Sequence, residues 1–209
     1  MLDLFNLPTQ QGCDIQTFYT HRASTTTRSW VKPRGVSNIY MMLIGPGGSG
    51  SGGTGGGSGV VTVWYGSAQN VPDQLRIAFA SATTQVQYYG SAGAVLLLNA
   101  NGNNSTSGGA ANVDNTFGAS GFYQSIAGQA GSAGAVSASG STFLSGGTPT
   151  GNAVTANYGY TQNNGTGFFM MQPMIVGLGG AAGTGTAAIG CGGGDGSFGG
   201  PGFVLIASW

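Results

Sequence analysis

Hydrophobic positions along the chain fall in short blocks separated by small polar residues. NIYMMLI (38–44), VVTVWY (60–65), LRIAFA (75–80), TQVQYY (84–89), AVLLL (94–98), GFFMMQPMIV (167–176) and FVLIAS (203–208) are rich in β-branched and aromatic residues and bounded by Gly, Asn or Ser. That length and content predict strands. DIQTFYT (14–20) and TTTRSWV (25–31) read as two further β segments. TQVQYY and AVLLL are joined by GSAG, which predicts a hairpin turn. No stretch carries a helical period with caps. The predicted fold class is therefore all-β, a β-sandwich or jelly roll.

The polar spacers are the unusual part. GPGGSGSGGTGGGSG (45–59) has the composition of a flexible linker, yet it stands between two strands with the character of a core. Gly47, Gly50, Gly53, Gly56 and Gly59 are in a register of three, as are Gly190, Gly193, Gly196, Gly199 and Gly202. Glycines 128, 131, 134 and 140 and glycines 177, 180 and 183 give shorter instances. Three is the period of the extended polyproline-II helix, in which one residue per turn faces a given neighbour. With glycine there, backbones can approach and hydrogen-bond between segments. These ten glycines are the expected packing positions of polyglycine-II-type rods. Proline is too scarce and the runs too short for a collagen triple helix.

Charge narrows the picture. Charged residues are 5% of the 209, against about 25% in ordinary chains. Formal net charge is zero, which gives the chain no general attraction to nucleic acid. Four of the five basic residues (Arg22, Arg28, Lys32, Arg34) lie within residues 1–36, too dispersed for a nucleic-acid patch. A surface so poor in charge predicts packing against other molecules, including further copies. Cys13 and Cys191 are too few for a zinc site and read as two buried free thiols rather than one long-range bridge. MLDLFNLPTQ lacks the basic start and apolar stretch of a signal peptide, and no apolar run is long enough to span a bilayer. A soluble chain made in a cytoplasm is expected.

Trp30-Val31-Lys32-Pro33-Arg34-Gly35-Val36, followed by NIYMMLIGPGGSGSGG, resembles the opening of a glycine-rich domain found in many phage virion proteins. That opening is W-x-x-P-x-G-V, a hydrophobic strand, then a glycine burst. GGGDGSFGGPGFVLIASW resembles the close of the same domain. The resemblance covers roughly residues 30–209. Similar domains in tail-tip adhesins of large phages imply a sandwich of packed polyglycine-II helices whose end loops touch the host. A related glycine-rich region belongs to receptor tyrosine kinases of the anaplastic lymphoma kinase type, but its cysteines are missing here. Residues 1–29 have no counterpart and are expected to form an N-terminal arm docking residues 30–209, the glycine-rich sandwich, onto other virion proteins.

Catalytic chemistry is hard to assemble from one histidine, His21, no glutamate and five scattered aspartates. Asp73, Asp114 and Asp195 are the only carboxylates with a claim to a glycosidase pair. GDGSFGG (194–200) has the wrong spacing for a serine-protease motif, and Asp195 reads as a turn residue. No glycine pattern carries the strand-to-helix context of a nucleotide site. No enzyme, cofactor or metal is expected. Two stretches have a composition suited to recognition: 99–123, with Phe117, Phe122 and Tyr123, and 148–166, with Tyr158, Tyr160 and Asn163. They are the expected receptor-binding loops, the alternative being that their aromatics tuck into the core. The sequence thus predicts a non-enzymatic virion surface protein, a spike, tail fiber or tail-tip adhesin. Its expected partner is a host glycan or surface protein, and its expected state a homo-oligomer such as a trimer. The alternative is a capsid, decoration or shell subunit; membrane insertion is not expected.

Overall fold

The computed structural model describes residues 13–20, 25–102, 107–112, 117–131, 187, 189–194 and 196–209. Nine strands run through them: β1 (Asp14–Tyr19), β2 (Thr26–Val31), β3 (Asn38–Ile44), β4 (Val61–Ser67), β5 (Gln74–Phe79), β6 (Thr83–Gly90), β7 (Gly93–Asn101), β8 (Phe122–Ile126) and β9 (Phe203–Ser208). They form two sheets, five-stranded in the order β1-β9-β3-β4-β8 and four-stranded in the order β2-β5-β6-β7. Every pairing is antiparallel. The protein is an all-β sandwich. The strand expected at 167–176 lies outside the described residues.

Alternation of side chains explains the core. From the five-stranded sheet, Ile39, Met41, Leu43, Trp64, Val204 and Ile206 face Trp30, Leu75, Ile77, Phe79, Val86 and Leu98 of the other. Trp30 and Trp64 are both fully buried, at 1% and 0% exposure, and their ring area makes them large contributors to this layer. β3 and β9 are buried on their second face too, where Tyr40, Met42, Ile44, Phe203, Leu205 and Ala207 cluster with Val61, Val63, Ala187 and Cys191. Burial on both faces is why NIYMMLI and FVLIAS read as unbroken apolar runs, whereas β1 alternates.

The hairpin predicted at GSAG is present, with Gly90 opposite Gly93 and Ser91-Ala92 at the turn. Gly93 has φ 117°, which a side chain would resist. A register shift between Val86 and Gln87 pairs Val86 with Leu98 but Gln87 with Leu96. The extra residue, Leu97, lets two consecutive leucines, Leu97 and Leu98, both join the core.

Two expectations need correction. The boundary drawn between residues 29 and 30 falls inside β2, whose Thr26–Val31 pairs residue by residue with β5. β1 likewise pairs along its whole length with β9. The described parts of the supposed arm are thus edge strands of the sandwich itself. Their Thr and aromatic content suits a half-buried pleated surface. Cys13 is exposed rather than buried, while Cys191 is buried, and both are free thiols. The chain's single lysine has a structural task. Lys32 Nζ donates to the carbonyls of Ala68 (3.1 Å) and Val71 (2.7 Å) and pairs with Asp73 at 2.8 Å, tying the end of β2 to the turn before β5.

Candidate functional site

The glycine segments gather at one end of the sandwich and bond to one another mainly through main chain, with Gln129 N–H donating to Ser58 Oγ at 2.7 Å as a side-chain addition. Gly45 and Gly48 donate to the carbonyls of Val60 and Gly57, both at 2.8 Å. Gly47 and Gly50 donate to Gly200 and Ser197, at 2.9 and 3.1 Å. Gly56 and Gly59 donate to Gly193 and Gly190, at 2.7 and 2.8 Å. In each pair both partners advance by three residues, in opposite directions. A β-ladder would advance by two and keep its partners in one plane.

Segment 55–60 shows how far this differs from a sheet. Besides its bonds to 45–48 and 190–193, Ser58 N–H donates to Gln129, Val60 N–H donates to Asn101, and the Ser58 carbonyl accepts from Gly109 N–H. Partners thus surround the segment, and backbone groups that a loop would leave to water are paired with backbone.

Close approach makes glycine necessary. A Cβ built on Gly47 would lie closer than 3 Å to the Cys191 carbonyl, on Gly56 to that of Gly48, on Gly59 to that of Gly45, and on Gly199 to that of Gly47. The same holds of Gly193 against Phe198 and of Gly202 against the Thr84 hydroxyl. Gly128 and Gly131 meet the carbonyls of Ser58 and Gly55 in the same way. Gly50 donates to Ser197 and accepts from Gly196 N–H.

Gly53 and Gly196 differ from the expected packing role. A Cβ on either meets nothing within 4 Å, and their φ values of 79° and 70° show that they form turns. Gly190 also has φ 69°, though it is buried. Gly52 and Gly53 make the turn between the bridged residues Ser51 and Thr54. Gly196 makes a second turn beside it, since Gly196 N–H donates to the Gly50 carbonyl. The two turns form one exposed tip of the glycine bundle, and Phe198, 56% exposed, stands next to it.

The expected recognition aromatics divide. Phe117 stacks on Trp64 with centroids 4.8 Å apart, and both it and Tyr123 pack against the core. Both remain half-buried, so one side of each ring packs and the other stays open to solvent. Phe122 is half-buried on the edge strand β8. Tyr158, Tyr160 and Asn163 lie outside the described residues, as do His21, Asp114 and Asp195. Asp73 is engaged with Lys32. Among the described residues no three His, Cys, Asp or Glu side chains come together as a metal site, and no helix is long and apolar enough to cross a membrane.

Two arrangements escaped sequence reasoning. The first is a polar cluster between the sheets. Thr62 Oγ1 donates to the Asn99 carbonyl at 2.8 Å, and Asn112 Nδ2 donates to Thr62 Oγ1 and to that same carbonyl. The Asn112 N–H reaches Ser125 Oγ at 2.9 Å. It fastens segment 107–112 to β4, β7 and β8, and isolated Asn, Thr and Ser in loop-like sequence give no sign of it. The second lies on the outward face of the four-stranded sheet. Arg76 Nη1 donates to Gln87 Oε1 at 2.8 Å, Gln87 Nε2 donates to Gln85 Oε1 at 2.6 Å, and the Arg76 guanidinium lies 5.6 Å from the Tyr89 ring centroid. Its signal was the alternation of polar and apolar residues in TQVQYY.

No protein-family model matches the chain, and neither a curated protein nor a solved structure matches it.

Proposed function

We propose that this protein is a non-enzymatic component of a bacteriophage virion surface, a spike or tail-tip adhesin, in which polyglycine-II-type rods stiffen a β-sandwich that meets the host. The observation that carries the reading is the backbone-to-backbone bonding of the glycine segments in steps of three. It coincides with the W-x-x-P-x-G-V opening at Trp30–Val36 and the Gly-Pro-Gly-strand-Trp close that resemble phage glycine-rich domains. A bundle with backbone for an interior is rigid where a side-chain core has no room, a property suited to a projecting surface module. The turn pair at Ser51–Thr54 and Gly196 is the exposed end of that bundle.

The test is competition. Excess purified protein should slow adsorption of the parent virion to its host, and antibody to the protein should label intact particles. Labelled particles with unchanged adsorption would move the protein to a second reading, a shell or decoration subunit. Among the described residues β1 is an edge strand that exposes Ile15 and Tyr19, which favours that reading as a place for neighbours to pair. Particles that carry no label would overturn both.

A further inference from the structure

The outward face of the four-stranded sheet is ordered in register. Ser29 stands opposite Arg76, Arg76 opposite Gln87, and Gln87 opposite Leu96, so one row crosses all four strands. Their sequence neighbours Trp30, Leu75, Ile77 and Val86 are buried in the core, which turns this row outward. The register shift in β7 brings Leu96 rather than Leu97 opposite Gln87, and Leu96 is exposed. Tyr89, two residues along β6, is 71% exposed.

This surface is preorganised. Gln87 receives from Arg76 and donates to Gln85, which fixes both amides, while Arg76 lies over one side of the Tyr89 ring. The result is an aromatic plane beside a line of hydrogen-bonding groups. The electrostatics are one-sided: Arg76 is the charge on this row, Arg28 stands opposite Ile77 on the core-facing side of β2, and the strands β2, β5, β6 and β7 carry no carboxylate. The nearest acid in sequence, Asp73, is paired with Lys32.

We infer that this face binds an acidic polysaccharide. The exposed side of Tyr89 takes the apolar face of a sugar ring, Arg76 pairs with a uronic or sialic carboxylate, and Gln85, Gln87 and Ser29 bond to hydroxyls. A planar guanidinium fork matches a carboxylate in two parallel hydrogen bonds, and among the described residues the face offers that carboxylate no repelling acid. An extended chain of sugars suits the flat row better than a small ligand, which needs a cleft. The inference does not depend on the virion reading, because purified protein and purified glycan suffice to test it.

Calorimetry at low salt with hyaluronan oligosaccharides, polysialic acid and neutral dextran of similar length is the experiment. The acidic chains should bind and dextran should not. Arg76→Met and Tyr89→Ala should each weaken binding by about tenfold or more with the thermal midpoint little changed. Leu96→Glu, at an exposed position, supplies a variant that keeps the Arg76 network and sets a carboxylate beside it; it should abolish binding. Failure of both acidic chains to bind, equal binding of dextran, or undiminished binding by folded Leu96→Glu protein would each overturn the inference.

Discussion

At the scale of single residues, the same amino acid does two separable jobs in the bundle. The carbonyl of Gly48 lies where a Cβ on Gly56 would sit, and a methyl there can be accommodated only by moving backbone. Gly56→Ala should therefore cost more than the about 1–3 kcal/mol of ordinary overpacking. Gly53→Ala meets no neighbour and pays only for φ 79°, about 1–2 kcal/mol. Thermal unfolding of the two variants should separate them, and equal midpoints would show that the rods yield like loops. Tyr40 offers a second test. Burial pushes its phenol up to about 12, and its hydroxyl has no hydrogen-bond partner among the described residues. Between pH 10 and 12 the unfolded chain has lost this proton and the folded chain keeps it. Stability should therefore fall as pH rises through that window. Tyr40→Phe should flatten the fall and raise stability at neutral pH by about 1 kcal/mol, since an unmade hydrogen bond is removed. Denaturant titrations at pH 8 and pH 11 would check both.

At the scale of elements, β2 is indispensable because it brings Trp30 into the core and pairs along β5. A chain beginning at residue 30 should lose cooperative unfolding, measured by circular dichroism, rather than fold as an intact domain without its arm. Strands were legible where burial imposed a pattern. The runs in β3 and β9 and the hairpin of β6 and β7 stand out in sequence because they are buried or tightly turned. β8 escaped notice because FYQSI is half-buried throughout and shows neither alternation nor a run. The three-residue period of glycine was readable, but which glycines pack and which turn was not. That choice depends on partners far away in the chain, such as Cys191 for Gly47. The Arg76, Gln87 and Gln85 ladder was half legible: alternation in TQVQYY turns both glutamines to one face, but only the register of β5 against β6 brings Arg76 to them.

At the scale of the whole molecule, a near-neutral chain with 5% charged residues and, among the described residues, an edge strand at β1 predicts association. Light scattering should find a small closed oligomer, such as a trimer, if the protein is a projecting module, and a far larger particle if it is a shell subunit. Replacing Ile15 and Tyr19 together by lysine should leave the sandwich folded and dissociate any assembly built through that edge. The glycine bundle has a consequence for how such a protein can change over generations. A side-chain core drifts by paired substitutions, one residue shrinking as its neighbour grows. Carbonyls that sit where a methyl would be cannot shrink, so the rods have no such compensating partner. Inherited variation is thereby steered to the outward strand faces and the bundle's turns, and a lineage can alter what it grips without altering what holds the grip in place.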